Sequence, residues 1–346
     1  MLNGCWVTGS GGGSDRRVSA EPIVVSGHRD DIERGLPTAI GIPTIVKRTT
    51  AWEALMYLEM LISANEAYGE LKHFTPQLVA VRPPAHLGFD DWIYVQEPAS
   101  QGLLVALHEQ LRQLGRSCEC GGGVMDAKLW KLSMVDVTAA ARRPCVIDVK
   151  IGAVRHSPYT LPGKLEAICK KELGRTQLIR ITGAHHEIYS PTSVSSRLMV
   201  VEQFTKEMGY ALLSDEANSR ALRLFFSSRA SMILSDGGEV SDDNDNSCVR
   251  ARLYHCCSRV RQLVDFFKSE LGQKLLENTA FVSTSLLLVY DAAENTCEAA
   301  AAARVGVYLI DFARSGDRRL NFSEDVIRFV QGLEEVLRLL LFKDPA

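Results

Sequence analysis

Residues Pro144–Gly152, PCVIDVKIG, read as a β-strand that ends on a glycine. Alternate side chains of a strand face opposite ways, so Ile147, Val149 and Ile151 point toward a core. Val146, Asp148 and Lys150 then share the other face, with a carboxylate and an ammonium side by side. Gly152 lets the backbone turn or come close to a ligand. A surface ion pair on an edge strand fits the same residues, and the segment alone leaves both readings open.

Two further segments carry chemistry. Val305–Ile310 is a mostly apolar strand that delivers one acid, Asp311, at its end. A carboxylate on a rigid strand end suits a hard cation such as Mg2+. A cap onto the Ala-Arg-Ser backbone that follows fits it equally well. Lys164 and Lys171, in GKLEAICKKELG, stand almost two helical turns apart and lie on nearly one stripe. A polyphosphate between them would relieve their repulsion, and so would plain solvation.

Before the central strand the pattern is that of a small α+β lobe. Ile45, Lys47 and Thr49 alternate with Val46 and Arg48 in a short strand, and Trp52–Asn65 predicts a largely buried helix. A second helix is expected over Leu103–Leu114 and a strand over Lys128–Val137. After the central strand come a helix at Gly163–Leu173 and a strand at Leu178–Thr182. Helices are expected over Met199–Met208 and Asn218–Arg229, then one long amphipathic helix over Val249–Leu276. Strands at Phe281–Tyr290 and Val305–Phe312 precede a last helix striped by Phe329, Leu333, Val336 and Leu340. Residues 1–40, rich in Gly, Ser and charge, read as a disordered tail. Its Gly9–Ser14 run (GSGGGS) follows no strand and opens no helix, unlike a phosphate loop. The acidic run Ser235–Ser247 reads as a solvated insertion, because it lacks the Gly and Glu positions of a calcium loop.

Composition narrows the function classes. The 346 residues hold 39 Lys+Arg against 42 Asp+Glu, a net charge of −3, which excludes a generally basic nucleic-acid binder but leaves room for a local basic pocket. At roughly 150 residues per unit the length predicts about two units, and 46% hydrophobic with 23% charged residues is ordinary for a globular chain. No apolar run reaches the roughly 18 residues of a membrane span, and the N-terminus lacks a secretory pattern. Nine cysteines without zinc spacing fit a reducing, intracellular setting, cytoplasm or nucleus. His185 and His186, as strand neighbours, point to opposite faces and read as surface or loop histidines that share no metal. Cys256–Cys257 reads as core packing in a helix.

Together these segments resemble the inositol polyphosphate kinase family. PCVIDVKIG reproduces its Pro-x-x-x-Asp-x-Lys-x-Gly signature. In the right order, Ile45–Arg48 resembles the Val-Leu-Lys-Gln strand, and Glu53 falls where the following helix begins. Thr284–Asp291 (TSLLLVYD) is similar to Ser-Ser-Leu-Leu-Phe-Val-Tyr-Asp/Glu, Leu309–Ala313 (LIDFA) to Ile-Asp-Phe-Ala, and Gly332-Leu333 to a Gly-Leu pair in the last helix. The positions of Lys164 and Lys171 resemble the multikinase branch. The sequence departs at Gly183–Tyr189 (GAHHEIY), in the short Ala-rich insert before LIDFA, and at Ser133–Val137 (SMVDV), which lacks the usual Glu-Asp pair.

The resemblance implies an α+β, two-lobed fold of the protein-kinase-like and SAICAR-synthase-like type. An ATP cleft would lie between an N-terminal lobe at 41–135 and a C-terminal lobe at 136–346. It implies a monomeric, ATP- and Mg2+-dependent kinase of an inositol polyphosphate, such as a trisphosphate or tetrakisphosphate, with no nucleic-acid partner and no membrane span. Lys47 would meet the phosphates with Glu53 beside it, and Val135 and Asp136 would meet adenine. Asp311 and Ser285 would hold the metal. Asp148 would receive the acceptor proton, Lys150 would neutralise the transferring phosphoryl, and Lys150, Lys164 and Lys171 would grip the acceptor. The Asp148–Lys150 face is expected to form a cleft wall opposite Asp311. Another branch of the family and an inactive scaffold are the alternatives. A eukaryotic protein kinase ranks below both, since no Gly-x-Gly-x-x-Gly turn precedes Lys47 and no His-Arg-Asp loop is present.

Overall fold

Short alternating runs build the first sheet. Strand β1 (Ile32–Arg34) pairs antiparallel with β2 (Thr44–Thr49). Thr50 then caps α1 (Ala51–Ile62), accepting from the Glu53 amide. Helix α2 (Glu66–Leu71), β3 (Leu78–Arg82), β4 (Ile93–Tyr94), α3 (Gln101–Ser117) and β5 (Trp130–Val135) follow, giving the antiparallel order β1-β2-β5-β3-β4. In this computed structural model the described residues are 22–25, 29–89, 91–117, 125, 127–152, 162–172, 177–189, 199–227, 246–293, 302, 305–317 and 325–341.

The second sheet is centred on β6 (Pro144–Ile151). It is followed by α4 (Pro162–Glu172), β7 (Ile179–Tyr189), β8 (Met199–Phe204), α5 (Lys206–Ala211), α6 (Asp215–Phe225), α7 (Asn246–Lys268) and α8 (Glu270–Asn278). The short β9 (Thr279–Ala280), then β10 (Ser285–Asp291), β11 (Gly306–Ile310), β12 (Gly316–Asp317) and α9 (Asp325–Leu341) complete the chain. The sheet runs β11-β10-β6-β7-β8, antiparallel throughout. Ile147, Val149 and Ile151 of β6, with Leu286 and Leu288 of β10, have no exposed surface and form the core face. Helix α9 packs on α6 and α7, and Phe329 meets Phe267 and Phe281 ring to ring. Among the described residues no helix is long and apolar enough to cross a membrane.

Several sequence expectations need correction. Part of the expected tail is ordered: Ile32–Arg34 adds an edge strand to β2, held by Gly35 N donating to Thr44 O and by a Lys131–Glu33 ion pair. One apolar residue in three leaves no periodicity to detect. Met199–Met208 is a strand followed by a separate helix, with Thr205 capping α5. Val249–Leu276 is two helices, because the Ser269 hydroxyl accepts from the Gly272 amide and starts α8 anew. His186 is not at the surface. It is fully buried in β7, with its Nε2 2.7 Å from Ser227 O. Cys256 and Cys257 are buried in α7, as expected. The Gly9–Ser14 run lies outside the described residues, as do most of the acidic run and all of the Ala-rich insert except Ala302.

Candidate active site

Sheet register puts the signature residues on one face. Lys150 of β6 pairs with Ser285 of β10, which pairs with Ile310 of β11, while Asp148 pairs with Leu287. Directly paired residues share a face, so Lys150, Ser285, Asp148 and Leu287 look away from the aliphatic core. Asp311 follows Ile310 with φ 65°, a left-handed conformation that turns the chain out of the strand. Ser283, just ahead of β10, is also left-handed at φ 57°. Such conformations are uncommon for residues other than glycine and are held by their surroundings.

Both residues converge on Lys150. Its Nζ donates to Asp311 Oδ2 at 2.6 Å and to Ser283 O at 2.8 Å. From the first sheet, Lys47 Nζ donates to Asp311 Oδ1 and to Glu53 Oε1, each at 2.8 Å. Asp311 thus holds one ammonium on each oxygen, and two cations with two carboxylates leave the cluster neutral. Glu53 has no exposed surface. Its Oε1 also accepts from the Phe312 amide at 3.2 Å, and Thr49 Oγ1 donates to Oε2.

Burial alone would raise the Asp311 carboxyl. The charges of Lys150 and Lys47, and their hydrogen bonds, outweigh it and hold the group well below the usual carboxylate range. Burial likewise opposes the Lys47 ammonium, and Asp311 and Glu53 reverse this, lifting it above an ordinary lysine.

The expected wall is only partly open. Asp311 keeps a 31% exposed side chain, whereas Asp148 has no exposed surface. Asp148 sits mid-strand in the central strand of the sheet, between Leu287 of β10 and Gly183 of β7, whereas Lys150 lies nearer the strand end and its longer side chain reaches Asp311. Val135 and Asp136 lie at the end of β5, but their amides are spent on Gln77 O and Pro43 O, and the Asp136 carboxylate accepts from Thr138. Lys164 and Lys171 lie on α4 as expected, while their side chains fall outside the described residues.

Sequence reasoning missed Ser283 and Thr49. Thr49 shares the face of Lys47 two positions on, a signal that was available. Ser283 acts through its carbonyl, which no residue type announces.

A hard cation fits this face. Ser285 Oγ is buried with no hydrogen-bond partner among the described residues, and Ser285 pairs with Ile310, the residue before Asp311. Among the described residues no cluster of three or more His, Cys, Asp or Glu forms a protein cage. That combination suits Mg2+, which takes one or two protein oxygens and completes its shell with water and phosphate.

A sequence profile of the inositol polyphosphate kinase family matches residues 131–340. The chain belongs to the inositol polyphosphate kinase family. Two solved structures resemble this family member. One is an inositol phosphate multikinase, 21% identical, with TM-score 0.44, covering 66% of this chain and 91% of its own. The other is the S. cerevisiae inositol phosphate multikinase solved with ADP and Mn2+, 14% identical, with TM-score 0.51, covering 87% of this chain and 98% of its own. The second shares the α+β fold. No curated protein sequence matches the chain.

Proposed function

We propose that this inositol polyphosphate kinase family member transfers the γ-phosphoryl of ATP to a hydroxyl of an inositol polyphosphate, with a trisphosphate or tetrakisphosphate acceptor as in a multikinase. The observation that carries the reading is Asp311 held between Lys47 and Lys150. Phosphoryl transfer asks a protein for positioning and charge neutralisation, and these residues supply both from two separate sheets.

Residues 41–135 serve as the nucleotide lobe and 136–346 as the acceptor lobe. Lys47, steered by Glu53, meets the nucleotide phosphates, and the end of β5 at Val135 and Asp136 borders adenine through groups other than the two committed amides. Asp311 and Ser285 would hold Mg2+, which would supply charge neutralisation on the phosphates. The multikinase solved with ADP and Mn2+ supports a nucleotide with a divalent metal. Asp148 receives the acceptor proton once the acceptor displaces what covers it, and Lys150 neutralises the transferring group. Lys164 and Lys171 bind the remaining acceptor phosphates, a local basic site on a chain of net charge −3.

The full burial of Asp148 favours one other reading, an inactive scaffold of the same fold. Incubation with Mg-ATP and a panel of inositol phosphates, followed by separation of the products, distinguishes the two. Transfer to at least one acceptor is expected. Asp148→Asn should lower turnover by roughly 10²–10³ while the protein stays folded. Near-normal turnover by that variant would remove Asp148 from the mechanism, and no transfer to any acceptor would leave the scaffold.

A further inference from the structure

On another flank of α1 from Glu53 lies a cavity of about 270 Å³. Trp52, Leu55, Met56 and Glu59 line it at i, i+3, i+4 and i+7, one stripe of the helix. Glu53 is about 100° further round the helix, turned to Lys47. The opposite wall comes from Leu275 and Asn278 of α8, with Ser315 and Gly316 in the segment that follows Asp311. Arg112 and Arg116 of α3 close the third side.

The floor is firm. A Cβ on Gly115 of α3 would lie 3.3 Å from the Trp52 ring, and one on Gly316 would lie 3.4 Å from it. The indole is therefore wedged between a helix of the first half of the chain and a segment of the second. Trp52, Leu55, Met56 and Leu275 make that floor apolar.

The charges are unequal. Glu59 Oε1 is 3.1 Å from His108 Nε2 and 3.3 Å from Arg112 Nε, so its carboxylate is already engaged by those two side chains. Arg116 has no ion-pair or hydrogen-bond partner among the described residues and stands exposed at the rim. One uncompensated cation beside an apolar floor defines the ligand chemistry.

We propose that this cavity is a second ligand site, separate from the catalytic cleft, for a small organic anion. Its apolar body would rest on Trp52 and Leu275, and a single carboxylate, sulfonate or phosphate group would meet Arg116. Such a ligand touches the helix that carries Glu53 and the segment behind Asp311 without touching either carboxylate. Occupancy therefore alters nucleotide affinity; this coupling rests on the kinase reading, whereas the binding itself does not.

Anilinonaphthalene sulfonate, an aromatic anion that fluoresces in apolar sites, is the probe, titrated into the full chain with and without saturating Mg-ATP. Saturable binding that persists with Mg-ATP is expected. It should weaken about tenfold in Arg116→Glu, the scale of one charged contact, and also in Asn278→Trp, which fills the mouth. Both variants should keep the parent unfolding midpoint. Absent saturable binding, parent-like affinity in either variant, or full displacement by Mg-ATP would overturn the site. An ATP affinity unmoved by saturating probe would overturn the coupling. Failure of the kinase reading would look different: no phosphoryl transfer, with probe binding intact.

Discussion

At the scale of single residues, the cluster around Asp311 makes a pH-dependent contribution to stability. Its carboxyl is depressed in the folded state, so its contribution is present above the unfolded carboxylate range and is lost as pH falls toward the folded value. Lys47 is raised, so its share is present below the unfolded lysine range and is lost only as pH climbs through the higher folded value. Between about pH 5 and pH 9 both are in place. Asp311→Asn should cost about 1–3 kcal/mol near neutrality and flatten the acid limb of a stability-against-pH curve measured by urea unfolding; an acid limb as steep as the parent's would mean other carboxylates set it. Ser283 tests the strained backbone separately. Glycine accepts φ 57° without a Cβ clash. Relief of about 1–2 kcal/mol of left-handed strain exceeds the roughly 0.4–1 kcal/mol that glycine adds to the unfolded chain's entropy. Ser283→Gly should therefore raise stability slightly while leaving the carbonyl on Lys150 and turnover unchanged. A drop in turnover would show that the serine side chain matters as well as its carbonyl. Lys150 and Asp311 could be marked from the sequence because charged side chains stand out on apolar strands, and Lys47 and Glu53 through the family resemblance. Ser283 could not be marked, since a backbone oxygen looks the same in every residue.

At the scale of elements, the outcome depended on whether a period was long enough to read. The β6 alternation spans a whole strand and carries its own end signal, Gly152, whose φ of 77° the structure shows. The MVVEQFTKEM run switches from a strand period to a helical one within ten residues, and only the Thr205 cap marks the change. The α7–α8 break was hidden because the apolar stripe continues across it and only the Ser269 cap interrupts the backbone. The last helix shows what a small residue can fix. A Cβ on Gly332 of α9 would lie 2.5 Å from Ile151 Cγ2 and 2.6 Å from Gly152 N. Relief requires α9 to move off the end of β6, next to Lys150. Gly332→Ala should therefore cost about 2 kcal/mol and lower turnover together, read from urea midpoint and kcat. A folded variant with full turnover would show that α9 does not set the position of Lys150.

At the scale of the molecule, the site exists only because two sheets meet, and this was the least legible level. Lys47 and Asp311 are 264 positions apart, and neither strand's pattern names its partner. Family likeness implied that the halves face each other; one apolar core spans both, with Tyr57 edge-on to Phe312, and individual polar contacts add to it. Thr50 Oγ1 donates to Ala313 O, and Tyr68 and Thr279 share a hydroxyl bond of 2.9 Å. Arg259 of α7 reaches across to donate to His73 O at 3.2 Å, with its guanidinium 5.0 Å from the Phe74 ring centre. That ring also stacks on Phe266. Arg259 touches nothing in the charged cluster; apart from an exposed bond to Gln262 Oε1 in its own helix, its loss reports the cost of loosening the halves. Its hydrogen bond and ring contact are worth about 1 kcal/mol together. If nucleotide binds between the halves, weakening the closed arrangement by that amount lowers apparent affinity by the fraction of molecules no longer competent. Arg259→Ala should then weaken ATP binding by up to about fivefold, with kcat at saturating ATP close to the parent's. Titration of ATP against both proteins measures it. A stability loss of that size with ATP affinity unchanged would mean that Arg259 braces the fold without helping to hold the cleft closed, and that Lys47 and Asp311 are brought together by the other contacts.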